Sequence, residues 1–163
     1  MQMEHIIAGS LRQVCYKSDW FYEGLHGFRL GYSCESPVIT VCQDIADSLD
    51  EGVGRDASIT DFSKAFDLVP HDRLFKNLAA SGVDSRLVVW VRELLVGRTQ
   101  RVRVGGQLSK EVKIASGVPQ GNVLGPILFL VYVNDIRRNI DRNIRLFADD
   151  YIIHWGLSQI NTT

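Results

Sequence analysis

Apolar positions recur along this chain in two rhythms, and each change of rhythm marks an element. From Glu4 to Tyr16, Ile6, Ile7, Leu11 and Val14 keep helical spacing, which predicts a short amphipathic helix. Ser36-Pro37 predicts the start of a second helix, with Ser36 as N-cap and Pro37 at the first helical position. Its apolar stripe is Val38, Val41, Cys42, Ile45 and Leu49, and it stops near Gly52 or Gly54. Ala57 to Phe62 is short and partly β-branched, which predicts a strand. Pro70-His71 opens a third helix that runs through Ala80 and is closed by Gly82. Asp84 caps a fourth, with Leu87, Val91, Leu94 and Leu95 on one face and Gly97 at its end. Alternation from Arg98 to Val104, the Gly105-Gly106 pair and a second strand near Val112 to Ala115 predict a hairpin. Pro126 begins an apolar helix through Ile136, buried on most sides. Two last strands, Ile144 to Phe147 and Tyr151 to Trp155, flank a tight bend that carries Asp149 and Asp150.

Composition narrows the class. A chain of 163 residues with 45% hydrophobic and 23% charged positions is expected to be globular, as one domain or a piece of a larger one. Its longest apolar run, Ile127 to Val133, is far too short to cross a bilayer. No basic segment followed by an apolar core suggests a secretory signal. Cys15, Cys34 and Cys42 show no zinc spacing and cannot all pair, so a reducing intracellular compartment is expected, with the thiols as small core residues.

The net charge of −1 gives no global reason to bind nucleic acid. Its distribution says more. Asp44 to Asp72 holds eight acids and two bases, while Arg86 to Lys113 holds seven bases and two acids. Such blocks suit a metal centre beside a phosphate-binding track, although two solvated faces of opposite sign would give the same pattern.

Two adjacent carboxylates at a bend repel one another, and a divalent cation such as magnesium relieves that repulsion with hard oxygen ligands. Plain turn chemistry, in which Asp is favoured, is the alternative. Asp61 ends a predicted strand as Asp149 does, so neighbouring strands would bring the two together on a pair of magnesium ions. Successive strand residues point to opposite faces, so Asp149 and Asp150 are not expected to be equal ligands unless the bend turns one of them. Asp149 is expected to do more of the metal binding.

Four blocks then stand in order: His26-Gly27-Phe28-Arg29, Asp61-Phe62-Ser63-Lys64-Ala65-Phe66-Asp67, Ser116-Gly117-Val118-Pro119-Gln120-Gly121 and Phe147-Ala148-Asp149-Asp150. Together they resemble the reverse transcriptase domain of non-LTR (LINE-type) retrotransposons, from about Glu4 to about Trp155. The resemblance implies an α+β fold, a right-hand polymerase palm with part of the fingers, its antiparallel sheet packed on helices. Residues 1–56 would belong to the fingers and 57–155 to the palm with inserted fingers segments; the thumb is expected to be absent. It implies catalytic carboxylates at Asp61, Asp149 and Asp150, with the Phe62 carbonyl as a further metal ligand. The Lys64 and Ala65 amides would hold the incoming triphosphate. Phe66 would be a steric gate against a ribose 2′-hydroxyl, Gln120 would touch the incoming nucleotide and Arg29 would reach its phosphates. Arg98, Arg101 and Arg103 would meet nucleic acid.

The implied reaction is RNA-directed DNA synthesis with Mg2+ (two ions, Mn2+ as the alternative), an RNA template, a DNA primer and dNTPs, and no membrane. Two departures are mild: Ser58 and Thr60 stand where aliphatic residues usually precede the first Asp, and Leu25 where a polar residue precedes the His-Gly-Phe block. The short extent motivates a second reading, an inactive retroelement remnant with weak RNA binding through Arg92, Arg98, Arg101 and Arg103. His71 reads as a helix-start residue, and Tyr151 and Trp155 as packing residues.

Overall fold

A computed structural model describes residues 2–140 and 143–156. Among the described residues five α-helices and seven short strands follow one another as α1 (Gln2–Lys17), α2 (Glu35–Asp50), β1 (Arg55–Asp61), α3 (His71–Ala80), α4 (Ser85–Leu95), β2 (Thr99–Gln100), β3 (Arg103–Val104), β4 (Gln107–Leu108), β5 (Val112–Lys113), α5 (Leu124–Val133), β6 (Asn143–Phe147) and β7 (Asp150–Gly156). Every strand pairing between these elements is antiparallel, so the α+β expectation holds. The chain forms two compact units and passes between them three times. One unit is the chain up to Trp20 with Lys64–Tyr132; the other is Phe21–Ser63 with the chain from Val133.

In the first unit the helices supply the core. Leu11 and Cys15 of α1, Leu74 and Leu78 of α3, Val91 and Leu95 of α4, and Leu124, Leu128 and Val131 of α5 are all fully buried. α5 is apolar on every side, as its composition demands, but it begins at Leu124 and ends at Val133, where a 3₁₀ turn (Ile136–Asn139) follows. The Asn77 amide of α3 donates to the Val131 and Tyr132 carbonyls at 3.1 and 3.2 Å, satisfying orphan acceptors at the helix end. The expected cap of α4 is present: Asp84 accepts from the Arg86 N–H at 2.8 Å. The hairpin after α4 is interrupted. Gly105 and Gly106, both at positive φ, turn β3 into β4, while β2 pairs separately with β5. The break lies at Val102 and Ser109, where the Ser109 side chain takes the Val102 N–H.

In the second unit a three-stranded sheet has the order β1-β7-β6. β1 is an edge strand and is exposed along nearly its whole length, which explains why Ser58 and Thr60 are tolerated there. Ile144 and Leu146 of β6 form the buried face.

Two expectations about α2 are corrected. The helix begins at Glu35, with Cys34 as N-cap and no side-chain cap; Ser36 instead bonds the Ser33 backbone and His26 Nδ1 (2.9 Å). Pro37 is tolerated because the first-turn N–H groups need no helical partner. The predicted apolar stripe is also not the buried face. Val38, Cys42 and Leu49 are exposed, and the helix buries Pro37, Val41 and Ser48. The reason is a polar contact. Asp44 lies 3.1 Å from Nε2 of fully buried His154, and Arg55 donates to His154 Nδ1 at 3.1 Å and to Ser48. The cysteine expectation is corrected in part: Cys15 is buried and its thiol is pushed up to about 11 by desolvation, but Cys34 and Cys42 are exposed.

Candidate active site

The acidic hairpin is built by a two-residue loop. Phe147 and Asp150 are cross-strand partners, with Ala148 and Asp149 between them. Ala148 has φ +56° and Asp149 does not share the left-handed conformation, the pattern of a type II′ turn with alanine where glycine is usual. A non-glycine residue held there is a strained position of the kind that persists at functional sites.

The neighbouring chain holds this strained turn in place. Residues 24–26 bond the free edge of β6 through His26 N to Leu146 O and Leu146 N to Gly24 O, both 2.8 Å. Gly27 then crosses the turn so closely that a Cβ would fall on the Ala148 amide nitrogen. The His-Gly-Phe block is therefore a backbone brace for the acidic hairpin, a role that the spacing of the motifs did not reveal.

Register decides which carboxylates meet. Asp61 is the direct cross-strand partner of Asp150, so their side chains share one face of the sheet. Asp149 lies in the turn, outside the strict alternation of the strand, and its carbonyl accepts from the Phe62 N–H at 2.9 Å. Asp61 and Asp150 are exposed and Asp149 half-buried, so desolvation costs this cluster little. Among the described residues no three His, Cys, Asp or Glu side chains are grouped to hold a metal ion alone. The donor set still fits magnesium, which is commonly held by one or two carboxylates together with substrate phosphates and water. Phe62 packs its ring on Tyr151, centroids 4.8 Å apart.

Arg29 is engaged by its own loop. Its Nη1 donates to the Tyr22 and Leu25 carbonyls at 2.9 and 3.1 Å, and its guanidinium lies 4.5 Å from the Tyr32 ring centre. Contact with a phosphate would require those bonds to be shared or exchanged.

The first unit holds the other candidate residues. Phe66 is half-buried, its ring stacked on Phe129 with centroids 4.9 Å apart and planes 12° apart. Lys64 has φ +52°, and its carbonyl accepts from Asp67 N and Leu68 N. The Ser116–Gln120 loop lies along the segment after Phe66: Val118 N donates to Phe66 O at 2.8 Å and Ser116 Oγ to Asp67 O at 2.8 Å. Gly125 packs against the Pro119 carbonyl where a Cβ would clash. A cleft of about 500 Å³ is lined by Lys64, Asp67, Arg98, Lys113, Ser116 and Gln120, so its rim is cationic and polar.

Three arginines of the basic block have partners within the chain. Arg98 donates to the Leu95 and Gly117 carbonyls, Arg101 pairs with Glu111 at 2.7 Å, and Arg92 lies over the Phe75 ring at 4.7 Å. Arg103 is exposed on β3.

A family model described as reverse transcriptase (RNA-dependent DNA polymerase) matches residues 2–158. The chain belongs to the reverse transcriptase family. Among its relatives, "Probable RNA-directed DNA polymerase from transposon BS" of Drosophila melanogaster is 30% identical over 82% of this chain and 15% of its own length. "RNA-directed DNA polymerase from mobile element jockey" of the same fly is 33% identical over 68% of this chain and 12% of its own. The fly "Retrovirus-related Pol polyprotein from type-2 retrotransposable element R2DM" is 32% identical over 57% and 10%. The chain thus spans a small part of each reverse transcriptase relative. The likeness to retrotransposon polymerases read from the four motif blocks holds.

Proposed function

We propose that this chain is the catalytic portion of an RNA-directed DNA polymerase, most of the palm with part of the fingers, acting with an RNA template, a DNA primer and dNTPs. The observation that carries this is the register of β1 and β7, which pairs two motif carboxylates, Asp61 and Asp150, that lie far apart in sequence. Asp61, Asp149 and Asp150, with the Phe62 carbonyl, would hold magnesium. When bound, the metal would neutralise charge on the attacking and leaving oxygens of phosphoryl transfer. The chain's own residues do the selecting. Phe66, stiffened by its stack on Phe129, denies space and hydrogen bonding to a 2′-hydroxyl. Gln120 can donate and accept together. The Lys64 and Ala65 amides are suited to phosphate oxygens, and no protein acceptor for them is found among the described residues. Arg103, exposed on β3, is available to meet nucleic acid.

The remnant reading draws on the intramolecular partners of Arg98, Arg101 and Arg92, which leave a smaller free basic surface. Isothermal titration with magnesium separates the two. The polymerase reading expects saturable binding that disappears in Asp61→Asn with Asp150→Asn. No saturable binding by the parent chain would favour the remnant.

A further inference from the structure

Two hydrogen-bond donors from separate elements converge on one carbonyl in the Ser116–Gln120 loop. His71 Nε2, at the first residue of α3, lies 2.9 Å from the Gly117 oxygen, and Arg98 Nη2, just beyond α4, lies 2.9 Å from the same atom. A carbonyl oxygen has two lone pairs and accepts both. For the imidazole this requires the proton on Nε2. Arg98 is half-buried, and desolvation pulls its pKa below the ordinary guanidinium value. A charged donor aimed at a carbonyl is of the stronger class.

The acceptor is aimed by a backbone only glycine adopts readily. Gly117 has φ +91°, and a Cβ there would lie 2.7 Å from the Asp67 carbonyl oxygen. The loop's other bonds all reach the segment that carries Phe66: Ser116 Oγ to Asp67 O, Gly117 N to Val69 O and Val118 N to Phe66 O, each 2.8 Å. His71 opens α3, as its sequence position implies, with Pro70 as N-cap; in addition its imidazole bonds a residue 46 positions further along the chain.

We propose that His71 and Arg98 are positioning residues for nucleotide selection. By holding the Gly117 carbonyl from two elements they fix Gln120 relative to Phe66, and so set the preference for deoxyribose over ribose. This rests on the nucleotide reading of Phe66 and Gln120 above. Both side chains act through the loop.

The test uses the 163-residue chain and two readouts: amide hydrogen exchange at Gly117 and Val118, and affinity for Mg2+–dUTP against Mg2+–UTP, which differ only at the 2′-hydroxyl. His71→Leu and Arg98→Met are expected to speed exchange roughly tenfold, the effect of losing one hydrogen bond, and to shrink the dUTP/UTP ratio several-fold. Magnesium binding should not change. His71→Gln and Arg98→Lys keep a donor and should recover both readouts in large part; they also carry the test if an apolar variant fails to fold. Parental exchange and ratio in the apolar variants would overturn the inference. So would faster exchange with an unchanged ratio, or glutamine and lysine variants as impaired as the apolar ones. The parent is measured first: if it binds neither nucleotide, the nucleotide reading fails and this inference falls with it.

Discussion

Asp61 and Asp150 are direct cross-strand partners on β1 and β7, two exposed carboxylates on one face of a sheet edge. Like charges placed directly opposite each other destabilise a strand pair. The arrangement therefore costs some stability in the absence of a cation. Asp150→Asn should raise the metal-free melting temperature slightly and abolish the stabilisation that magnesium gives the parent chain. Thermal melts with EDTA and with magnesium check both signs. A variant that melts lower without metal and still gains stability with it would count against a shared ion site.

Gly27 makes a second prediction, because its backbone lies against the turn that presents Asp149. A methyl group there meets the Ala148 nitrogen and the Phe147 carbonyl carbon, both backbone atoms that cannot swing away. Gly27→Ala should cost about 1–3 kcal/mol in urea unfolding, as overpacking does, and should weaken magnesium binding as well. Gly9→Ala is the control: nothing lies within 4 Å of a Cβ at Gly9, which sits in the middle of α1, so the change should be neutral or mildly stabilising.

The buried histidines give a pH dependence with a definite sign. His154 has its pKa lowered, first by desolvation and then by Arg55 and Arg145, against an opposing pull from Asp44. Arg55 can only donate to Nδ1, which also requires that nitrogen to be unprotonated. Desolvation, Arg145 and Arg29 lower His26 in the same direction. Below the ordinary histidine value of 6.5 the unfolded chain therefore binds more protons than the folded one. Stability should be full above that pH and fall as pH drops through it. Urea midpoints from pH 5 to 8 test this, and His154→Gln should flatten the slope.

Much of this was legible beforehand, and the failures share a cause. The cap at Asp84, the stop at Gly82, the strand ending in Asp61 and the acidic bend all follow from local backbone chemistry that a short window contains. The buried face of α2 did not, because Ser48 is buried against Arg55 and Asp44 half-buried against His154, partners that no helical period encodes. Ser36 looked like a cap but serves Ser33 and His26. The partners of the arginines from Arg92 to Arg101, namely Phe75, Gly117 and Glu111, were likewise not visible in the charge pattern. In the candidate site the carboxylates were recognisable by motif, whereas the brace from Gly27 and the pairing of Asp61 with Asp150 needed the register of the sheet.

The most direct measurement is template-primed incorporation of dNTPs by the whole reading frame that carries this chain, with Asp61→Asn and Asp150→Asn beside the parent. The account predicts magnesium-dependent synthesis by the parent and a fall of at least about a hundredfold in each variant, the scale of losing charge stabilisation at a transferring phosphoryl group. Synthesis in either variant at the parental rate would contradict it.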